Sequence, residues 1–327
     1  MFLVETVVSS RMGKRTPTGT ESTNTRRGGD QTDRHIRRRF WRTKIDHSSI
    51  RQTTGVTLLL AVAITSATAT LVHMNQVSFL ALVAPLTGPT NYLIHPTLLV
   101  YLPLIAIVIG GIIHTFGKLS WRDMGLVRED LPLGLAVLII SWLAMQGVSA
   151  LVVVSRGGTL QLPSTWASMG ALFVLGDFFG QLFGNALYEE VVFRSVLMVQ
   201  FVKMIRARWS GLSPRSSFLI ALLGSQLLFA LIHVPDRLAS GVPLAQLVGA
   251  IILPLFFGIL LVLVYYRTGN IFVAIVLHTF INTPTMVVGT NGLGQVTALG
   301  IVLVIVIGWP YLDSGRKFVA RARGSSV

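Results

Sequence analysis

The chain has 327 residues, of which 52% are hydrophobic and only 12% are charged, and its mean hydropathy is +0.68. Soluble domains carry about 25% charged residues, so this composition excludes an ordinary soluble protein and predicts an integral membrane protein. The net charge is +14 and there is no cysteine, which excludes disulfides, thiolate metal sites and cysteine nucleophiles.

Residues 1–51 form a basic segment in front of the first apolar run. The segment holds nearly half of the 27 Lys and Arg residues, is rich in Ser, Thr and Gly, and lacks apolar periodicity. We therefore predict a mostly disordered cytoplasmic tail over residues 1–51. It does not resemble a signal peptide, because no apolar stretch follows its first basic residues closely. Since the tail leads directly into a membrane span, its charge favours anionic lipid over nucleic acid as a partner.

Eight apolar runs follow, each long enough for a helix across the hydrocarbon core, which takes about 20 residues. They cover roughly residues 54–74, 95–116, 132–154, 168–188, 216–233, 244–266, 270–288 and 295–312. The fourth is predicted to continue as an amphipathic helix to about Ile205. The sequence thus predicts an all-α polytopic bundle of about eight transmembrane helices over residues 52–313, with a basic cytoplasmic tail over residues 314–327.

Basic residues alternate between the gaps that separate the spans, which indicates the orientation in the membrane. The gaps after spans one, three, five and seven hold only Arg156 and Arg237. The other gaps and the C-terminal segment hold Lys118, Arg122, Arg128, Lys203, Arg206, Arg208, Arg215, Arg267, Arg316, Lys317, Arg321 and Arg323. This pattern predicts that both termini are cytoplasmic, and a bacterial plasma membrane fits it.

Charged groups within a span are costly and mark functional sites. The fourth span carries Glu189, Glu190 and Arg194. Adjacent helical residues point about 100° apart, so the two glutamates face different directions. Glu190 and Arg194 are four residues apart and can pair along one face. Glu189 is left to point into a cavity, where an unpaired carboxylate suits a general base.

Two further polar pairs lie on other spans. Phe229 and His233 are four residues apart on span five, which places the imidazole against an aromatic ring. His278 and Asn282 are one turn apart on span seven and can donate two hydrogen bonds to one oxygen, as in an oxyanion hole. For Asp177, three turns before Glu189, we favour a structural hydrogen bond to a neighbouring hydroxyl over a place in the cavity.

The predicted depths of these residues do not agree with one another. Glu189 lies near the predicted cytoplasmic end of span four, whereas His233 is about 17 residues into span five and so lies about 25 Å from its cytoplasmic end. Either span five is tilted or its boundary is misplaced.

Glu-Glu-x-x-x-Arg, Phe-x-x-x-His and His-x-x-x-Asn, in this order on three spans, resemble the CAAX prenyl protease 2 and bacteriocin-processing family, also called CPBP or Abi intramembrane proteases. The resemblance covers about residues 165–290. It implies an intramembrane endopeptidase, with the site open towards the cytoplasm. The implied catalytic residues are Glu189, Glu190, Arg194, His233, His278 and Asn282.

By this resemblance, Glu189 activates a water that His233 helps to hold, while His278 and Asn282 stabilise the oxyanion. Glu190 and Arg194 shape the site. Members are often called metalloproteases, and Glu189, His233 and His278 are the candidate ligands if zinc binds. The His-Glu-x-x-His helix of soluble zinc proteases is absent from the sequence, so we favour a glutamate-activated water that needs no cofactor.

The expected partners are a peptide or protein substrate, which can be membrane-associated, and the lipid bilayer. Two other functions fit a polar cluster at membrane depth. A proton-coupled transporter uses Glu and His residues as proton relays, but the sequence shows none of the repeats typical of such proteins. A non-catalytic immunity or scaffold protein retains the same residues as a structural network.

Overall fold

The computed structural model describes residues 44–290 and 292–322, and for Pro310 and residues 312–322 it describes the backbone alone. Within these ranges the chain is helical and has no strand. The all-α bundle predicted from the sequence is therefore confirmed. Residues 1–43 of the predicted tail lie outside the described residues. Residues 44–51 are described and contact the bundle.

Apart from three short 3-10 turns, the described residues form eleven helices in chain order. They are α1 (Gly55–Met74), α2 (Gln76–Thr87), α3 (Pro96–Phe116), α4 (Leu131–Ser155), α5 (Ser164–Met169), α6 (residues 171–208), α7 (Pro214–Leu231), α8 (Val234–Ala239), α9 (Leu247–Thr268), α10 (Ile271–Asn282) and α11 (Leu293–Ala322). Five segments are long and apolar enough to cross a membrane, namely Gly55–Met74, Pro96–Phe116, Arg128–Ser155, Pro214–Ala239 and Leu244–Thr268. Their length and composition are those of an integral membrane protein.

The eight predicted spans correspond to α1, α3, α4, α6, α7, α9, α10 and α11. The seventh is shorter than predicted, because α10 ends at Asn282. Pro284 explains this end, since the residue before a proline avoids helical backbone angles and the proline itself lacks an amide hydrogen.

Helix α6 is the element that carries most of the candidate site. It runs without a break over residues 171–208 and contains two stretches of wider π-helical turns, Gln181–Asn185 and Glu190–Leu197. Such turns often occur at functional sites. The helix extends 19 residues beyond Glu189 to Arg208, which is further than the predicted end near Ile205. Glu189 therefore lies in the middle of the helix and not near its cytoplasmic end.

One end of the bundle is tied together by residues 44–54, which we call the strap. The Nζ of Lys203 donates to the carbonyl oxygens of His47 at 2.7 Å and Ile50 at 2.6 Å. The Gln200 amide accepts from the amide of Thr53 at 3.0 Å and donates to the carbonyl of Arg51 at 2.9 Å. The strap therefore holds the beginning of α1 beside the end of α6.

At the other end, the loop before α3 packs directly on the start of α6. A side chain at Gly176 would collide with the backbone of Tyr92 and Leu93, so only glycine allows this approach. The Trp142 and Trp166 indoles donate to the carbonyl oxygens of Thr285 and Met286. These contacts bring the loop after α10 to the same end of the bundle.

Candidate active site

A cavity of about 850 Å³ is lined by residues of α1, α2, α3, α5, α6, α7, α8, α9 and α10. Five of the six predicted catalytic residues line it: Glu189, Arg194, His233, His278 and Asn282. The sixth, Glu190, lies behind the wall and is fully buried. The three motifs, which are far apart in the sequence, therefore meet at one place.

Glu189 lies on the cavity wall with 4% of its surface exposed. Its Oε1 accepts a long hydrogen bond of 3.4 Å from the Tyr101 hydroxyl on α3. Its Oε2 is buried and has no hydrogen-bond partner among the described residues, with the Nε2 of His278 at 3.7 Å. Buried polar atoms are nearly always hydrogen-bonded in folded proteins, so an unpartnered carboxylate oxygen beside a cavity is suited to bind a ligand.

Behind Glu189, three polar side chains form a compact buried network. The Oε1 of Glu190 lies 3.4 Å from the Nε of Arg194 and 2.7 Å from the Nδ1 of His278. The ion pair predicted from the four-residue spacing is thus present. The Arg194 guanidinium also lies 3.8 Å from the centre of the Phe229 ring, a cation–π contact that stabilises a buried cation.

His278 lies between the two glutamates, with one ring nitrogen directed at each carboxylate. The Nδ1 of His278 donates to the carboxylate of Glu190, because a carboxylate only accepts, whereas the Nε2 is too far from Glu189 for a hydrogen bond.

His233 occupies the cavity wall at the junction between α7 and α8. Its Nδ1 lies 2.9 Å from the carbonyl oxygen of Phe229, and because a carbonyl only accepts, this nitrogen donates. Its ring packs on that of Phe229 edge to face, with the centroids 4.8 Å apart, as the spacing predicts. The Nε2 is left as an acceptor on the opposite side of the ring.

Asn282 is held by a residue that the motifs do not include. Its Nδ2 donates to the Oε1 of Gln181 at 3.0 Å, and the same oxygen accepts from the Nδ2 of Asn185 at 3.0 Å. Gln181, Asn185 and Glu189 all line the cavity and follow one another at four-residue intervals along α6. That spacing is visible in the sequence and could have identified these two amides, whereas Tyr101 stands in an apolar span without such a signal.

Asp177 accepts a hydrogen bond of 3.2 Å from the hydroxyl of Thr283. It does not belong to the residues that line the cavity. Its predicted structural role, with a neighbouring hydroxyl as the partner, is therefore confirmed by these contacts.

The described residues contain no group of three or more His, Asp or Glu side chains arranged to hold a metal ion. The trio of Glu189, His233 and His278 therefore does not fit zinc as it stands. Both ring nitrogens of His278 face carboxylates, and His233 uses one nitrogen for the Phe229 carbonyl. The metal-free reaction favoured from the sequence stays a prediction, with zinc as its alternative, and no step proposed below involves a metal.

The family model described as type II CAAX prenyl endopeptidase Rce1-like matches residues 170–284. The matched range includes the three motifs, from Glu189 to Asn282, together with Gln181 and Asn185. No curated protein and no solved structure matches the chain.

Proposed function

Because residues 170–284 form an Rce1-like domain of the type II CAAX prenyl endopeptidase family, we propose that this membrane protein hydrolyses a peptide bond within the bilayer with Glu189 as the general base. The family implies a peptidase, and the long apolar helices place this peptidase in a membrane. One observation supports the base assignment above all others. The Oε2 of Glu189 is buried at the cavity wall and has no hydrogen-bond partner in the described part of the chain.

In the proposed reaction, a water binds between the Oε2 of Glu189 and the Nε2 of His233. Glu189 removes a proton from this water while its oxygen attacks the carbonyl carbon of the substrate peptide. A negative charge then develops on the carbonyl oxygen of the tetrahedral intermediate. When the C–N bond breaks, Glu189 returns the proton to the leaving amine, so that its carboxylate is regenerated. Both transfers need a base held within hydrogen-bond distance of the reacting atoms.

His278 and Asn282 are the proposed donors to the developing oxyanion. The Nε2 of His278 lies 3.7 Å from Glu189, longer than a hydrogen bond, so a proton carried on this nitrogen is available to a third group. Asn282 uses one amide hydrogen for Gln181 and retains a second, because a carboxamide has two. Donors placed in advance around an oxyanion lower the activation barrier without reorganising during the reaction.

Glu190 and Arg194 are proposed as positioning residues. Glu190 fixes the ring of His278 through its 2.7 Å contact, and Arg194 compensates the charge of Glu190. Neither group needs to contact the substrate for this role.

The test of this function is cleavage of a peptide library by the protein reconstituted in liposomes. Wild-type protein is expected to cleave members of the library, and Glu189→Gln is expected to cleave none at a measurable rate. Glu129→Gln is the matched control, since it makes the same chemical change at an exposed position far from the cavity. Absence of cleavage by the wild type, or full activity of Glu189→Gln, would instead favour a non-catalytic role for the same residues.

A further inference from the structure

The two ends of the bundle differ strongly in their basic residues. We call the end held by the strap the basic end. Its loops and helix ends carry Lys44, Arg51, Lys118, Arg122, Arg128, Lys203, Arg206, Arg208, Arg215 and Arg267. Contacts join these segments: Arg51 binds Asp123 and the carbonyl of Lys118, and the amide of Lys44 binds the carbonyl of Tyr266. The opposite end carries Arg156 and Arg237.

The cavity belongs to the opposite end. Its wall includes the last turns of α1, Tyr92 and His95 in the loop before α3, and the helix junction at His233. None of the described residues of the strap, the α3–α4 loop or the α6–α7 loop contributes to it. At its rim, His73 and Asp236 form an ion-pair contact of 3.3 Å, and their side chains are 38% and 33% exposed.

Towards the basic end, the cavity is closed by packed side chains. Arg194 is 0% exposed, as are the neighbouring Phe193 and Glu190. The strap and the end of α6 lie beyond this layer. A substrate can therefore reach Glu189 from the rim near His73, and the packed layer blocks the route from the basic end.

The depth of Glu189 follows from the contact of its neighbour with α1. The Tyr188 hydroxyl is hydrogen-bonded to the hydroxyl of Thr65, which lies ten residues after Gly55 at the basic end. A helix rises 1.5 Å per residue, so the depth is about 15 Å. The hydrocarbon core is about 30 Å thick, so Glu189 lies near the middle of the membrane.

Lys and Arg residues in short loops are retained on the cytoplasmic side of a membrane. By this rule the basic end faces the cytoplasm, and the cavity lies at the opposite end of the bundle. We propose that the cavity opens on the side of the membrane away from the cytoplasm, and that the substrate is a polypeptide segment that reaches the site from that side. The substrate part of the inference rests on the proposed peptidase function, whereas the orientation does not.

This orientation differs from the one that the family resemblance implies, with a site open towards the cytoplasm. It also changes the substrate class. The C-terminus of a cytosolic protein, prenylated or not, cannot reach the rim near His73 without crossing the bilayer. An exported peptide or the outer segment of a membrane protein can.

Cysteine labelling tests the orientation directly, because the chain has no cysteine of its own. Three single substitutions are needed: Ser240→Cys in the exposed loop of the cavity end, Ser210→Cys in the exposed loop of the basic end, and Thr68→Cys in the cavity wall. Intact bacterial cells that express each variant are treated with a membrane-impermeant maleimide. The unsubstituted protein measures the background.

Ser240→Cys and Thr68→Cys are expected to react in intact cells, and Ser210→Cys only after the membranes have been opened. Reaction of Ser210→Cys in intact cells without Ser240→Cys would overturn the orientation. Reaction of Thr68→Cys only together with Ser210→Cys would overturn the direction in which the cavity opens. Gln76→Cys, also on the cavity wall, replaces Thr68→Cys if that variant does not fold.

Proteoliposomes of known orientation then test the substrate side. A peptide that wild-type protein cleaves in detergent is added to one face only, and cleavage is expected on the face where Ser240→Cys reacts. Cleavage on the Ser210 face alone would contradict the inference while the peptidase function stands. If no peptide is cleaved even in detergent, the proposed function fails, and the labelling result for the orientation is unaffected.

Discussion

The strap and the cavity wall use polar side chains of the same helix, α6, in opposite ways. At the strap, the side chains of Lys203 and Gln200 form hydrogen bonds with the backbone of residues 47–53. At the cavity wall, one oxygen of Glu189 and one of Asn185 are buried without a partner among the described residues. Satisfied polar groups stabilise a fold, whereas unsatisfied ones cost free energy unless a ligand completes them. Substitutions in the two regions should therefore separate stability from activity.

The largest effect on activity is expected from Glu189→Gln. The amide keeps the shape of the side chain and cannot accept a proton from water, so the cleavage rate should fall by about 10²–10⁴-fold. The melting temperature in detergent should change little, because Oε2 makes no hydrogen bond that is lost. Peptide cleavage and thermal unfolding are measured on the same preparation. A large drop in melting temperature would show that Glu189 stabilises the fold, as the polar groups at the strap do.

The largest effect on stability is expected from Arg194→Met. The substitution leaves the buried Glu190 carboxylate without its cation, which costs about 3–5 kcal/mol. Thermal unfolding in detergent measures the loss, with Arg122→Met at an exposed position as the control. The double variant Glu190→Gln, Arg194→Met removes both charges and should regain much of the stability. If the double variant is no more stable than Arg194→Met, the ion pair does not explain the loss.

A smaller effect is expected from Lys203→Met in the strap. Two backbone carbonyls, those of His47 and Ile50, lose their donor, which should cost about 1–3 kcal/mol. Peptide cleavage at a temperature where the variant is folded should stay at the wild-type rate. The packed layer that contains Phe193 and Arg194 separates the strap from the cavity. Arg208→Met, exposed on the same helix, is the control for loss of a charge. Reduced cleavage with unchanged stability would contradict the separation of the two regions.

The smallest effect is a pH dependence of stability that arises at His47. Burial, together with the nearby cations Arg206 and Lys203 and against the opposing effect of Asp46, lowers the pKa of His47 from 6.5 to about 4. Below pH 6.5 the unfolded chain binds a proton that the folded protein takes up only near pH 4. The contribution of His47 to stability is therefore complete above pH 6.5 and decreases as the pH falls towards 4.

His47→Gln should weaken this dependence, because glutamine does not titrate. Melting temperatures of the wild type and the variant are compared at pH 7.5, 6 and 5. The difference between the two proteins should change with pH in favour of the variant at the lower values. A constant difference across the three pH values would show that His47 titrates alike in the folded and unfolded chain.

Local features of the sequence were sufficient for eight of the eleven described helices and for the candidate residues, but not for the short helices α2, α5 and α8. Apolar runs have the length of a membrane crossing, and eight helices correspond to them. The four-residue spacing of Glu190 and Arg194 predicts their ion pair, and that of Phe229 and His233 predicts their ring contact. Both are present in the structure. Each of these predictions depends only on the rise and turn of a single helix.

Contacts between different helices could not be predicted from the spacing of residues within one helix. His278 lies between two carboxylates, and Gln181 accepts a hydrogen bond from Asn282. These contacts join residues about 90 to 100 positions apart in the sequence. The predicted depths of Glu189 and His233 disagreed because the predicted span four ended at residue 188, whereas α6 runs over residues 171–208 and has Glu189 at its middle.

The sequence by itself determined that this is a helical membrane protein, where its helices lie along the chain, and which polar residues stand at membrane depth. The tertiary structure alone decided which side chains of other helices, such as Tyr101 and His278, meet Glu189 at the cavity wall and at which end of the bundle that cavity opens. The physical reason is that hydropathy and spacing act within one helix, whereas a cavity is the space that the side chains of several helices leave unfilled between them.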